Sequence, residues 1–258
     1  MLTLERQEEI LDILNKKKSA TVEELSSELF VSGATIRRDL RTMEKQGLII
    51  RSHGGAMPFK SSSEESAFSV REQENITAKR KIASLAVGLI KNGNSLFVDS
   101  SSTTGYVMPL LNDFTYLSVT TTGIRNAILL SQTNSVKIYV AGGLIENHSN
   151  SITGTDTIDY ISRIHADIAI LSCMGFDLKS GFTDAHIEQS KLKQLMRKNS
   201  QKVAILIDST KFNKTYMSTD FYLNDIDYLI TEKMPPKEYL EQIAKTKCKL
   251  ITPENNEF

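Results

Sequence analysis

From Ile76 onward, short apolar runs of strand length alternate with stretches of helical period, and this alternation narrows the possible folds more than any other feature. The apolar runs fall near 95–99, 115–120, 136–140, 167–172, 202–208 and 226–231. Helical spacing fits near 103–111, 123–132, 154–163, 184–199 and 236–246, after a first helix over Ile76–Lys91 set by Ile82, Leu85 and Leu89. A strand followed by a helix returns parallel to its neighbour, because the crossover carries the chain back along one face of the sheet. The expected class is therefore α/β, a Rossmann-like, mainly parallel sheet with helices on both faces. No internal repeat stands out.

The first 57 residues follow a different pattern. Leu4, Ile10, Leu11 and Leu14 form the apolar stripe of a first helix. Thr21 and Glu24 have the spacing of a capping box, and Val22, Leu25 and Leu29 form the inner face of the helix it opens. A short turn, Phe30-Val31-Ser32, leads to a third helix over 33–46 with Ser32 as its N-cap. Leu48-Ile49-Ile50 reads as a strand, and His53-Gly54-Gly55 as the turn of a small wing. The stretch from Pro58 to Ser69 is polar, serine-rich and without period. A length of 258 residues suits a small module plus a medium one. The expected division is a winged helix-turn-helix over 3–57, a linker over 58–74 and a larger α/β domain over 75–258.

The chain carries 31 basic and 31 acidic residues, so any attraction to nucleic acid has to come from a local basic face. Residues 34–53 supply one, with Arg37, Arg38, Arg41, Lys45 and Arg51 against Asp39 and Glu44. At 100° per residue, Ile36, Leu40 and Met43 fall on one face of the third helix. Ala34, Arg38 and Lys45 lie opposite, with Arg41 beside them and Arg37 on the flank. Cations on the outward face of the second helix of a helix-turn-helix are placed to meet a major groove. The expected DNA contacts are Ser32, Ala34, Thr35, Arg37, Arg38, Arg41 and Lys45, with Arg51 and His53 from the wing. For His53, a phosphate contact and a plain turn role are both open.

In the larger domain, the run ending at Asp99 continues into Ser100, Ser101, Ser102, Thr103 and Thr104 and then a helix. Hydroxyls and free N–H groups at such a point suit an anion, and in open α/β sheets ligands bind at the carboxyl ends of strands. A serine-rich capping turn would look the same. The second loop, with Thr121 and Thr122 before Gly123, favours phosphate. Gly142 and Gly143 follow a strand, where close ligand approach and an ordinary turn are equally served.

Val31-Ser32, Thr35-Ile36-Arg37-Arg38-Asp39-Leu40, Gly47-Leu48 and Arg51-Ser52-His53-Gly54-Gly55-Ala56 together resemble the DNA-binding signature of the DeoR family of bacterial transcriptional regulators. The resemblance continues through Lys79-Arg80, Asp99, Gly142-Gly143 and Asp208-Ser209-Thr210-Lys211-Phe212, and so covers nearly the whole chain. It implies a sensor domain related in fold to ribose-5-phosphate isomerase, phosphorylated sugars as effectors, and repression as the usual sign. Lys211 becomes a ligand candidate through this motif, in which Thr210 stands where a second serine is more usual. Asp177 and the pair Glu188 and Lys191 loosely resemble the isomerase's catalytic loop. Three residues apart on a helix, Glu188 and Lys191 read equally as a surface ion pair.

The classes left are a regulator of double-stranded DNA operators controlled by a phosphorylated sugar, an isomerase-like enzyme with Glu188 as base, and a DNA-binding protein without a small effector. A basic reading helix serves no purpose in the enzyme, so the regulator is the expectation. His148, His165 and His186 lack metal-ligand spacing, and neither metal nor cofactor is expected. Cys173 and Cys248 read as buried free thiols. No membrane segment or apolar signal core is seen, so a cytoplasmic protein is expected, acting as a homo-oligomer of dimer size or larger.

Overall fold

The computed structural model describes residues 3–17, 19–52, 54–58, 67–133 and 135–255. The chain forms two compact units, Met1–Arg71 and Glu72–Phe258.

In the first unit, α1 (Thr3–Lys17) is followed by β1 (Ala20–Thr21), α2 (Val22–Leu29), α3 (Gly33–Lys45), β2 (Ile49–Ser52) and β3 (Gly55–Pro58). Thr21 Oγ1 accepts from Glu24 N at 3.1 Å, and Thr21 N donates to Glu24 Oε2 at 2.7 Å, closing the capping box of α2. Ser32 Oγ accepts from Thr35 N at 3.2 Å and caps α3. Ile10, Leu14, Leu25, Ile36, Leu40, Met43 and Ile49 make one buried core, while the Leu4 side chain lies outside the described residues. β1, β3 and β2 form an antiparallel sheet in that order. Gly55 is required where β3 crosses β1, because a Cβ there would stand 2.4 Å from the Ala20 carbonyl oxygen.

The stretch expected as linker is not structureless throughout. Pro58 ends β3, and Phe68–Gln73 form α4, with the Phe68 side chain buried. One buried aromatic in a polar run was enough to order a turn of helix that periodicity did not register. Residues 59–66 lie outside the described residues.

The second unit runs α5 (Ile76–Ala86), β4 (Ser95–Val98), α6 (Ser102–Gly105), β5 (Leu117–Thr121), α7 (Ile124–Leu130), β6 (Val136–Val140), β7 (Leu144–Glu146), β8 (Ser151–Thr153), α8 (Thr155–Ser162) and β9 (Ala166–Leu171). It continues with β10 (Gly175–Asp177), β11 (Gly181–Asp184), α9 (Ile187–Lys198), β12 (Ser200–Leu206), β13 (Ser218–Phe221), β14 (Tyr228–Ile230), α10 (Lys237–Ile243) and β15 (Lys249–Ile251). A seven-stranded parallel sheet has the order β15-β14-β12-β9-β4-β5-β6. Its strands alternate in period two between two cores. Phe97, Ala169, Leu171 and Ile205 face Ile161, Leu192, Met196 and Tyr239, while Leu96, Val98, Ile170 and Leu206 face Ile82, Ala83, Ala86 and Leu130.

All six expected strands lie in this sheet; the seventh, β15, was not expected from the sequence. The helix expected over 103–111 is instead one α turn, α6, and a 3₁₀ stretch from Met108 to Asp113. Pro109 lies in the first turn of the 3₁₀ stretch, and without an N–H it cannot make the bond to the Gly105 carbonyl that would continue α6 as one helix. Two small antiparallel pieces, β7-β8 and β10-β11-β13, sit beside the main sheet.

Candidate functional site

On α3 the buried positions are Ile36, Asp39, Leu40 and Met43, which leaves Ala34, Arg37, Arg38, Arg41 and Lys45 exposed. Among the described residues, none of these four cations has an ion-pair partner. Arg51 on β2 is exposed and lies 3.4 Å from Glu44. Asp39, counted against the basic face in the sequence, does not weaken it. Its carboxylate is turned into the core, where Arg6 Nε and Nη2 approach it at 2.5 and 3.2 Å. That bond raises the Arg6 pKa further and holds α1 against α3. Ser32 is exposed and Thr35 half-buried at the helix start, and their hydroxyls are 2.9 Å apart. His53 lies outside the described residues.

In the second unit, the carboxyl ends of β4 and β5, strand β8 and one face of α9 enclose a small cleft. It is lined by Asp99, Ser100, Thr122, Ser151, Gln189, Leu192, Lys193 and Met196. As it stands the cleft has room for about one water-sized group, so a larger ligand needs its walls to part.

Asp99 organises the loop above the cleft. Its carboxylate accepts from Ser101 N at 3.0 Å, Ser101 Oγ at 2.7 Å, Thr104 Oγ1 at 2.8 Å and Ser172 N at 2.9 Å. Both oxygens are thus committed to the scaffold, and Asp99 holds the loop's shape instead of offering a free group to a ligand. Thr104 and Ser101 are spent on the same bonds. Ser102 Oγ accepts from the buried Lys79 Nζ at 3.1 Å. The buried Thr103 hydroxyl is left without a hydrogen-bond partner. Thr121 Oγ1 accepts from Gly123 N at 3.0 Å.

Beneath this loop Lys193 is buried and fully used. Its ammonium donates to Ser172 O at 2.7 Å and to the Asp184 carboxylate, and lies 3.4 Å from Asp99. Burial opposes the Asp184 charge, but Lys193 outweighs it and holds the Asp184 pKa below the ordinary value. Asp220 goes the other way. Burial first, and then the Asp184 charge, push its pKa well above the usual carboxylate range. Lys211, half-buried, donates to Ser172 Oγ at 3.1 Å and Cys173 O at 2.5 Å, which leaves one N–H free among the described residues. Its neighbour Phe212 is clamped between Phe176 and Tyr239, with ring centroids 5.8 and 4.9 Å away. Burial would raise the pKa of Asp208, but Lys211 and the Thr210 hydrogen bonds lower it.

Several sequence candidates sit elsewhere. Glu188 and Lys191 are exposed on the outer side of α9, whose inner side carries Gln189, Leu192, Lys193 and Met196. Asp177 closes the β10–β11 turn by accepting from Lys179 N and Ser180 N, each at 2.9 Å, and these bonds lower its pKa. Gly142 is exposed, and its carbonyl accepts from Thr157 Oγ1 at 2.7 Å. The glycine that the fold requires is Gly143, where φ is 148° and a Cβ would meet Thr157 Oγ1 at 2.1 Å. The residues that sequence reasoning missed are Lys79, Ser172, Gln189 and Lys193. For the two lysines a signal existed: Lys79 shares its helix face with Ile82, Ala83 and Ala86, and Lys193 with Gln189 and Met196. Cys173 and Cys248 are both buried thiols, and burial pushes Cys248 up to about 12. Among the described residues no cluster fits a metal ion, and no helix is long and apolar enough to cross a membrane.

Residues 6–62 match the DeoR-like helix-turn-helix domain, and residues 74–233 match the DeoR C terminal sensor domain. The chain is 35% identical over 232 residues to the HTH-type transcriptional regulator GolR of Listeria innocua, covering 90% of this chain and 91% of that protein. It is 29% identical to the glycerol-3-phosphate regulon repressor of Escherichia coli, over 95% of this chain and 96% of that one. Among solved structures, ribose 5-phosphate isomerase A from Methanocaldococcus jannaschii shares 16% identity over 54% of this chain and 55% of that chain, with a TM-score of 0.40. That likeness is too distant to carry any statement about chemistry.

Proposed function

The chain belongs to the DeoR family of DNA-binding transcriptional regulators, which are not enzymes, and on that premise we propose that it represses sugar-metabolism genes with an operator affinity set by a phosphorylated sugar. The DNA half of this reading rests on the row of exposed cations on α3. Arg37 and Arg38, near the helix start, reach base edges; Arg41, Lys45 and Arg51 hold phosphates; Ser32, Ala34 and Thr35 pack at the groove wall. The protein acts in the cytoplasm as a homo-oligomer on repeated half-sites.

The effector half rests on one observation. Asp99 ties the Ser100–Thr104 loop to Ser172, and Ser172 accepts from Lys211. The loop, with its unpartnered Thr103 hydroxyl, and the free N–H of Lys211 thus belong to one hydrogen-bonded network at the carboxyl ends of β4 and β9, beside the small cleft. The phosphate sits against the Ser100–Thr104 loop and Lys211, and the sugar lies in the cleft near Thr122, Ser151 and Gln189. A relative named for the glycerol-3-phosphate regulon supports a small phosphorylated effector. The ligand has to favour one of two states of unequal operator affinity, or it shifts nothing.

The test is calorimetry with a matched sugar and sugar phosphate, beside operator titration of Lys211→Ala. Hydrogen bonds to a charged group contribute about 1.5–3 kcal/mol each, so losing the phosphate should lower affinity by orders of magnitude. Lys211→Ala should keep its operator affinity and lose the response. Equal affinity for both compounds, or a fully responsive variant, would remove the loop from the account and leave a DNA-binding protein without a phosphate sensor.

A further inference from the structure

The second unit begins at Glu72, so the chain that arrives from the first enters it through Glu72, Gln73, Glu74 and Asn75. Tyr106, Arg125 and Asn75 fasten this entry segment to loops at the carboxyl ends of sheet strands. Tyr106 Oη donates to Glu72 O at 2.8 Å, from the residue that ends α6 in the connection after β4. Arg125 Nε donates to Glu72 Oε1 at 2.9 Å, from the first turn of α7, close behind the cleft residue Thr122. Asn75 Nδ2 donates to Asp208 Oδ1 and Thr210 Oγ1, each at 3.3 Å, in the turn after β12 that ends at Lys211. Just beyond the segment, Lys79 Nζ on α5 donates to Ser102 Oγ at 3.1 Å.

These contacts are not what the local fold asks for. Asn75 stands directly before α5, where an asparagine ordinarily turns its side chain onto the free N–H groups of the first turn. Here its backbone is left-handed, with φ at 54°, and its side chain makes no cap bond. Asparagine tolerates that conformation better than most residues, and the amide is left to reach Asp208 and Thr210. The Arg125–Glu72 pair is partly exposed and adds little to stability, so holding the entry segment is what it accomplishes.

The cleft connects these contacts to a ligand. With room for about one water-sized group, it has to open before a sugar phosphate can enter. Ser100 and Thr122 line it from the loops after β4 and β5, and the same loops lead into Tyr106 and Arg125. A ligand that displaces either loop therefore loosens the hold on Glu72. We propose that Glu72–Asn75 is the transmission segment of this protein, with Tyr106, Arg125 and Asn75 as the positioning residues through which the ligand loops set operator affinity. This rests on the reading of those loops as the effector site and supplies the route from it to the DNA-binding unit. Two states are required, one with the segment held, as here, and one with it released, of unequal affinity for DNA.

The test is DNA titration of the full chain with no sugar phosphate present, on a fragment selected by the wild type from a random-sequence pool. Asn75→Gly combined with Tyr106→Phe and Arg125→Gln removes all three holds, and glycine keeps the left-handed backbone. The DNA affinity of this triple variant should differ from wild type by more than about ten-fold, the joint effect of several hydrogen bonds. Tyr116→Phe, which removes an 86% exposed hydroxyl residue's OH at the amino end of β5, should bind as wild type. Urea unfolding checks the fold. A purely structural role would lower the midpoint and leave the affinity of folded molecules unchanged. A folded triple variant with wild-type affinity overturns the proposal. If the triple variant does not fold, Tyr106→Phe with Arg125→Gln decides by the same criterion, since both act on Glu72. A failed sensor reading shows differently: calorimetry then finds no sugar phosphate that binds, while the shift in the triple variant stands.

Discussion

The two units hold their cations in opposite ways. On α3, Arg37, Arg38, Arg41 and Lys45 are exposed and lack ion-pair partners among the described residues. In the second unit, Lys79 and Lys193 are buried against oxygen partners, and Lys211 has two of its three N–H groups in use. An exposed, unpaired cation contributes little to the fold and keeps its capacity for a phosphate or a base edge. A buried one has already lost its hydration, and its partners keep it from becoming a large liability. α3 should therefore lose binding and keep its fold when one of its exposed cations is removed. Removal of Lys79 or Lys193 should cost the second unit stability first, whereas the half-buried Lys211 should be removable with the fold kept.

The largest effect should come from Lys193→Ala. It leaves Asp184 and Asp99 buried without the ammonium between them, and breaking a buried pair on one side costs about 3–5 kcal/mol. Urea unfolding should show this as a lowered midpoint, while operator binding by molecules still folded is unaffected. A midpoint equal to wild type would mean that the second unit's lysines are as dispensable to the fold as those of α3, and the contrast would collapse.

Arg38→Ala tests the other side. Specific operator binding should weaken by about 1–3 kcal/mol, with relaxed preference at one base position. Its unfolding midpoint should stay within about 0.5 kcal/mol of wild type, as for most exposed substitutions. An operator titration paired with the same urea experiment reads both. Loss of stability with unchanged binding would reverse the roles assigned to the two units.

Asp220 sharpens the comparison through pH. Its pKa is raised in the fold, so its contribution to stability is complete at acid pH and is lost as pH rises through the folded value. Asp220→Asn cannot ionise and should remove that loss. Above about pH 4, the ordinary carboxylate value, the variant should gain on the wild type with rising pH, by up to about 1.4 kcal/mol per unit, until the folded group has ionised. Unfolding curves from about pH 4 upward would show it, and curves parallel throughout would mean that burial does not raise the Asp220 pKa.

These contrasts also mark where the sequence was legible. Regular periods gave the six long strands, and the capping box and Ser32 gave α2 and α3. The reading face of α3 was legible because Ile36, Leu40 and Met43 mark its core side; the buried Asp39, paired with Arg6, is the position the pattern did not reveal. The cleft was harder for a physical reason. Its residues come from β4, β5, β8 and α9, which are brought together only by the sheet order, and sheet order is not a local property. Chemistry alone suggested that Asp99 and the hydroxyls after it served a ligand, yet the fold spends most of them on one another. Glu188 and Lys191 were singled out by a loose resemblance to the isomerase's catalytic loop, whereas the position of a lysine on the buried face of α9 points to Lys193. A cation on a helix's apolar face was the clue, at Lys79 as at Lys193.

The smallest expected effect is the most specific to an exposed cation. Lys45 lies exposed in the last turn of α3, away from the helix start where Arg37 and Arg38 are proposed to read bases, so a phosphate is the contact expected of it. Each phosphate neutralised releases condensed counterion, and the logarithm of affinity falls with the logarithm of salt by about 0.9 per contact. Lys45→Ala should therefore reduce that slope by about one and weaken all DNA sequences alike. Between 50 and 200 mM salt the gap to wild type should narrow about 3.5-fold, because the wild type loses a contact's worth of affinity that the variant never had. Operator and unrelated DNA titrated at four salt concentrations would decide. An unchanged slope would take Lys45 out of the interface, and a loss confined to the operator would make it a base-reading residue like Arg38. If Lys45 instead resembled Lys193, the slope would be unchanged and its removal would show in the unfolding curve at every salt concentration.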